Sequence, residues 1–186
     1  KEDDIPKKIE NFILEKSPSI LCFQEYDSDT SLKFESYPYS YVTANSSRYT
    51  SELAIFSKFK LINSATIEFP ESSNNAIFSD VIVKSDTIRV YNLHLQSSGI
   101  DPNVEPFDSK QSNRLINRLS ATFKAQQVQS ELVASHISKS PYKVLLCGDF
   151  NNTIYSYVYR ILKGEMLDAF EESGTGFGRT FIFKYF

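Results

Sequence analysis

The sequence is poor in the residues that mark non-globular chains. Its 186 residues hold only 6 glycines and 7 prolines, too few for a collagenous or low-complexity chain. No apolar run approaches the roughly 18 residues that a membrane-spanning helix needs. The stretch KEDDIPKKIE, residues 1–10, is charged throughout and has no apolar centre of the kind found in a signal peptide. There is no basic excess either: 20 Lys and Arg stand against 23 Asp and Glu, a net charge of −3. Proteins that grip nucleic acid backbones non-specifically usually carry a basic surplus, so the balance argues mildly against that class. The two cysteines, Cys22 and Cys147, each lie in an apolar run. They read as buried free thiols rather than a disulfide framework.

What is present is ordinary core material. Hydrophobic residues make up 41% of the chain and charged ones 23%, with 15 Phe and 11 Tyr to bury. That balance excludes a disordered chain, and the length suits one compact domain spanning residues 1–186. Apolar periodicity predicts a helix over residues 4–15, with Ile5, Ile9, Phe12 and Ile13 on one face. Short apolar runs at 19–24 and 142–147 read as buried strands, and 53–57, 65–69, 76–83, 88–95 and 180–183 as further strands. The longest helical pattern follows a polar stretch ending at Asp108, with Leu115, Leu119, Phe123, Val128 and Leu132 as its apolar face. Residues 156–163 form a shorter helix. Alternating strands and helices of this kind point to an α/β or α+β layered fold.

Three apolar runs end abruptly in polar groups. Ile20-Leu21-Cys22-Phe23 ends in Gln24-Glu25, Val90-Tyr91 in Asn92-Leu93-His94, and Val144-Leu145-Leu146-Cys147 in Gly148-Asp149-Phe150-Asn151. Ligand sites in open α/β sheets form beyond the carboxyl ends of strands, so these groups can converge in one crevice. Glu25 and Asp149 are hard oxygen ligands suited to Mg²⁺, which binds one or two carboxylates and keeps several waters. His94 and Asn151 can donate to a phosphate oxygen that gains charge in a transition state. The bland reading stands beside each. A carboxylate at a strand end is usually solvated or caps a turn, a single histidine is more often structural, and Asp149 with Asn151 can simply build an Asx turn.

The segments LCFQEYD, YNLHLQS, LLCGDFNNTIYSYVYRIL and LDAFEESGTGFGRTF occur in that order, and together they resemble the endonuclease/exonuclease/phosphatase family, the deoxyribonuclease-I-like proteins. IFSKFKLI is similar to another family segment, with Lys60 where proline is usual. The resemblance runs from about residue 5 to 181. It implies a four-layer α/β sandwich of two mixed sheets flanked by helices. It also implies Mg²⁺-dependent hydrolysis, with Mn²⁺ as the other candidate ion, of a phosphodiester or phosphomonoester by in-line attack of water. In that comparison Glu25 matches the metal-ligating glutamate and His94 the histidine on the scissile phosphate. Asp149 matches the aspartate that orients the attacking water, and Asn151 the asparagine that binds phosphate. Asn92, Arg114 and Arg118 are candidate substrate contacts, the two arginines one helical turn apart.

The family also carries an asparagine on a first strand and an Asp-His pair at its end. This sequence begins at the following helix and stops at Phe186, which leads us to expect a domain incomplete at both ends. The alternative is a catalytically inactive binding module that keeps the fold. Expected partners are a phosphate ester, from nucleic acid or a small or lipid phosphoester, with no obligate protein partner and a monomeric state. Bacterial relatives with such motifs often sit outside the cytoplasm behind membrane anchors, and the resemblance implies that location. From Lys110 to Lys143 there are six basic residues against one acid, Glu131. That stretch reads as a solvated helix face, with His136 at its surface. Residues 174–178, Gly-Thr-Gly-Phe-Gly, read as a turn rather than a phosphate loop, since no helical pattern follows, and Asp168 and Thr180 read as structural.

Overall fold

The computed structural model describes residues 5–29, 34–43, 52–99 and 109–176. The expected strand at 180–183, Thr180 included, and residues 177–178 of the glycine-rich turn lie outside them. Two compact units emerge, one of residues 1–95 and 135–150, the other of residues 96–134 and 151–186.

The first unit holds the helix α1 (Ile5–Lys16) and the strands β1 (Ile20–Tyr26), β2 (Tyr39–Val42), β3 (Glu52–Ser57), β4 (Leu61–Glu68), β5 (Asn75–Val83), β6 (Asp86–His94) and β7 (Lys143–Asp149). They form a three-stranded sheet in the order β1-β3-β2 and a four-stranded sheet in the order β4-β5-β6-β7. Only the pairing of β6 with β7 is parallel among the described strands. The four-stranded sheet is therefore mixed, as expected, whereas the three-stranded one is antiparallel. Strand β2 had no counterpart in the sequence reading, because YSYV is too short and too polar to show a period.

The two sheets pack face to face. Leu53 and Ile55 of β3 meet Ile77 and Val81 of β5 and Val90 of β6, with Ile20, Cys22, Tyr41 and Ile88 around them. Alternation then assigns the faces: Ile77 and Val81 point to the inner layer, while Phe78 and Asp80 point outward. On that outer face Asp80 stands opposite Arg89 and accepts from its Nε at 2.6 Å and Nη2 at 2.8 Å, and from Asn63 Nδ2 at 2.9 Å. The Arg89 guanidinium lies 4.4 Å from the Phe78 ring centre.

His136, expected at the surface, belongs to this outer layer. Its ring is 4.9 Å from that of Phe78, and its Nδ1 is 2.8 Å from the Tyr91 hydroxyl. The helix carrying it, α2 (Ser109–Ile137), delivers its last residues onto the outer face of β5 and β6, which leaves His136 half-buried. Burial, then Arg89 and Lys139 nearby, hold its pKa below the ordinary value.

The second unit holds most of α2 together with α3 (Tyr157–Lys163) and α4 (Ala169–Ser173). The apolar stripe read from the sequence of α2 coincides only in part with the buried face: Leu115, Leu119 and Leu132 are half-buried. Phe123 and Val128 are half exposed, whereas Thr122, Gln126, Gln129, Ser130 and Val133 are buried. Their spacing of 4, 3, 1 and 3 residues is as helical as the apolar one, but it is largely polar, and only hydrogen bonding makes such a face buriable. Ser156 caps α3 by accepting from Tyr159 N at 3.1 Å. Asp168 caps α4, accepting from Phe170 N at 2.7 Å and Glu171 N at 3.1 Å, the structural role its sequence position suggested.

Candidate active site

Strand β1 does not run straight into its polar end. Phe23 pairs with Ala54 and Tyr26 with Glu52, so Gln24 and Glu25 share one position opposite Leu53. This is a β-bulge, which re-aims side chains at sheet edges and functional sites. Glu25 takes up the irregularity with φ +53°, a left-handed conformation costing a non-glycine residue on the order of 1 kcal/mol. Its carboxylate is exposed. The bulge leaves Gln24 free to point between the sheets, where its Nε2 donates to Asn92 Oδ1 at 2.5 Å.

Asn92 is fully buried. Its Nδ2 donates to the carbonyl oxygens of Phe23 at 2.8 Å and Ala54 at 3.1 Å. Both of its amide hydrogens and its oxygen are thus engaged with the opposite sheet, and no part of the group faces solvent. It fastens the end of β6 to β1 and β3. A buried amide with every group satisfied fixes the relative position of the elements that it joins. Two residues further along β6, His94 is buried, with 7% of its surface accessible.

Strand β7 lies parallel to β6 in a register that sets Asn92 beside Cys147, Leu93 beside Gly148 and His94 beside Asp149. Leu95 N donates to the Asp149 carbonyl at 2.9 Å and extends the ladder past the strand ends. Gly148 adopts φ +153°, and a Cβ there would collide with the backbone and side chain of Leu93. Glycine is what lets β7 close on β6 at this point and bring Asp149 alongside His94. The Asp149 carboxylate is exposed. Cys147 and Cys22 are free thiols, half-buried rather than fully buried. The hydrogen bond to Cys147, with burial, pushes the Cys22 thiol up.

Glu25, His94 and Asp149 thus stand at the carboxyl ends of β1, β6 and β7, in one unit, tied together by Gln24, Asn92 and the β6–β7 ladder. Among the described residues no three His, Cys, Asp or Glu side chains are grouped so that they could hold a metal ion together. Hard divalent cations such as Mg²⁺ need only one or two protein carboxylates, the other ligands being water and substrate oxygens.

The remaining candidates belong to the second unit. Asn151 has φ +47°, which asparagine tolerates better than most residues. Its carbonyl accepts from Gln126 Nε2 at 3.1 Å, the same group that donates to Gln96 O at 2.7 Å. Gln126 Oε1 accepts from Asn152 Nδ2 at 2.7 Å. Gln126 is completely buried and anchors the segment that carries Asn151. A glutamine in a helix gives no sequence signal of such a role. Arg114 and Arg118 are exposed on α2, and Arg118 Nη2 donates to Gly99 O at 3.3 Å.

The model of the endonuclease/exonuclease/phosphatase family matches residues 6–185. No curated protein matches the sequence. Among solved structures, the human Nocturnin catalytic domain with bound sulfate anion is similar with a TM-score of 0.65 at 20% identity, covering 89% of this chain and 63% of that one. TDP2 from D. rerio complexed with single strand DNA product gives 0.61 at 15%, over 87% and 58%. Sphingomyelinase C from Streptomyces griseocarneus gives 0.57 at 16%, over 87% and 61%. The chain spans less than two thirds of each of these structures. The fold is the expected deoxyribonuclease-I-like α/β arrangement of two sheets with flanking helices.

Proposed function

Because the chain belongs to the endonuclease/exonuclease/phosphatase family, we propose that it is a divalent-metal-dependent phosphoesterase acting by direct attack of water. The observation that supports this reading is the β6–β7 register that sets His94 beside Asp149, with Glu25 strained at the end of β1 next to Gln24, which bonds Asn92 of β6.

Glu25 is the residue that would hold Mg²⁺ or Mn²⁺. Such an ion, when bound, neutralises phosphoryl charge and so lowers the barrier to attack. Asp149, an exposed carboxylate beside His94 in the ladder, orients the attacking water and accepts its proton. His94 donates a hydrogen bond to a phosphoryl oxygen, where charge accumulates as water adds. Asn92 and Gln24 touch no substrate in this scheme. They hold Glu25 and His94 at a fixed separation, which is where most of the acceleration in such chemistry originates. Asn151 as a further phosphate donor, and Arg114 and Arg118 as contacts to more distant substrate phosphates, rest on the sequence motif and on charge.

For substrate, the net charge of −3 favours a small or lipid phosphoester over a long nucleic acid. Solved structures of similar fold include both kinds, one a sphingomyelinase and one a TDP2 in complex with single strand DNA product. Among the described residues no helix is long and apolar enough to cross a membrane. An extracytoplasmic or membrane-anchored location and a monomeric state remain part of the proposal.

The test is hydrolysis by the full-length protein of a panel comprising a small phosphodiester, a phosphomonoester, sphingomyelin vesicles and single-stranded DNA. Turnover of at least one with Mg²⁺ or Mn²⁺, abolished by chelation, is expected. No turnover of any of the four would favour the inactive binding module.

A further inference from the structure

Asn75 opens β5 and was not singled out by any motif. In the β5–β6 ladder Ala76 stands opposite Leu93, and one further step along both strands sets Asn75 beside His94. Alternation places the two on the same face. Asn75 shares the parity of Ile77 and Val81, which lie in the core between the sheets. His94 shares that of Val90, in the same core, and of Asn92, which reaches the opposite sheet. A row therefore crosses the end of the sheet: Asn75, His94, Asp149. Side chains directly opposite on neighbouring antiparallel strands have Cβ atoms about 4.5–5.5 Å apart, within reach of a shared hydrogen bond.

The second observation is independent of this register. Asn75 is buried, with 2% of its surface accessible, and neither Nδ2 nor Oδ1 of its carboxamide has a hydrogen-bond partner among the described residues. A buried unpaired amide weakens a fold, and an apolar side chain of similar size would pack there without that cost. The β4–β5 turn does not need the group, because Ser72 Oγ accepts from Asn74 N and Asn74 Nδ2 donates to Leu95 O. Unsatisfied buried groups of this kind concentrate where function demands them.

We propose that Asn75 is a positioning residue for His94. Its carboxamide engages the neighbouring imidazole when a phosphate ester occupies the site, and so fixes which ring nitrogen faces the phosphoryl oxygen. A carboxamide suits this task because it offers both a donor and an acceptor and carries no charge of its own. Hydrogen bonds of this kind are often loose in a free enzyme and tighten only around the substrate. The inference rests on the phosphoesterase reading given above, and it adds a residue that the reading does not contain.

The test compares Asn75→Leu with wild type, using whichever phosphate ester of the panel is turned over, alone and in a His94→Ala background. The expected result is a kcat about 10–100-fold lower, as for other groups that orient a reacting residue. KM should stay within about twofold and the melting temperature should be equal to or above that of wild type. In the His94→Ala background Asn75→Leu should have no further effect, a coupling that a merely structural role would not produce. Asn75→Thr, which keeps a hydroxyl on a strand-compatible side chain, should recover part of the rate and serves if the leucine variant does not fold. An unchanged kcat in Asn75→Leu, with His94→Ala impaired, would overturn this inference and leave the phosphoesterase reading intact. So would a loss that persists in full without His94. Wild-type turnover that His94→Ala does not reduce would remove the histidine's role, and the inference with it. An inert wild type would overturn both readings together.

Discussion

At Gly148 a methyl group would run into the carbonyl oxygen, the amide nitrogen and the side chain of Leu93. The residue is therefore a spacer whose lack of a side chain sets how closely β7 approaches β6, and Asp149 takes its place beside His94 as a consequence. Gly148→Ala should lower stability by about 1–3 kcal/mol, the usual penalty for forcing extra volume into a packed region, as measured by urea denaturation. An alanine variant as stable as wild type would show that the two strands can part without cost. Residues of this kind were legible in the sequence because they sit where an apolar run breaks, and Glu25, His94 and Asp149 were visible for the same reason. Asn75 and Gln126 were not. A buried amide has the same sequence signature as a loop or surface amide, and only the fold shows that it is enclosed.

The elements show the same contrast. Strands β5 and β6 are legible from their apolar runs because both of their faces are buried over much of their length, and the apolar run of β7 is legible although that strand is only half-buried. Helix α2 is legible as a helix but its buried face only in part: Leu115, Leu119 and Leu132 are half-buried as the apolar pattern predicts, whereas Gln126 and Gln129 go inside and Phe123 and Val128 stay half exposed. Hydrophobic periodicity finds the stripe that avoids water, and it has no means of detecting a polar stripe whose partners are supplied by distant segments. His136 was misplaced on the same grounds.

Its surroundings give a prediction at this scale. Burial, followed by Arg89 and Lys139, keeps the imidazole below its ordinary value of 6.5, with Asp80 opposing them. A depressed histidine contributes stability that is present above pH 6.5 and is lost as the pH falls below it. Asp80 adds a second step. Burial raises its pKa, but hydrogen bonds from Arg89 and Asn63 outweigh that and hold it below the ordinary 3.8, so its contribution disappears only in stronger acid. Unfolding free energy measured by denaturant titration should therefore fall between pH 7 and pH 5, and His136→Phe should flatten that fall. An equal fall in the variant would place the titrating group elsewhere.

Over the whole molecule, four motif segments in family order are enough to point to the family, whose model matches residues 6–185. They did not disclose the bulge in β1 or the fastening of Asn92 between the sheets. Both arise from contacts between strands separated in sequence: the bulge from the pairing of Phe23 with Ala54 and Tyr26 with Glu52, the fastening from Gln24 and Asn92, which are 68 apart. The central claim is that the strand ends carrying Glu25, His94 and Asp149 form a metal-dependent hydrolytic site. The most direct measurement is the rate of phosphoester hydrolysis, with and without Mg²⁺, by wild type, Glu25→Gln and Asp149→Asn, each checked by thermal melting. Both carboxylates are exposed, so the two variants should melt near the wild-type temperature while losing metal-dependent activity by at least about 100-fold. Full activity in both variants would contradict the site, and a large fall in melting temperature in either would show that carboxylate to be holding the fold rather than the substrate.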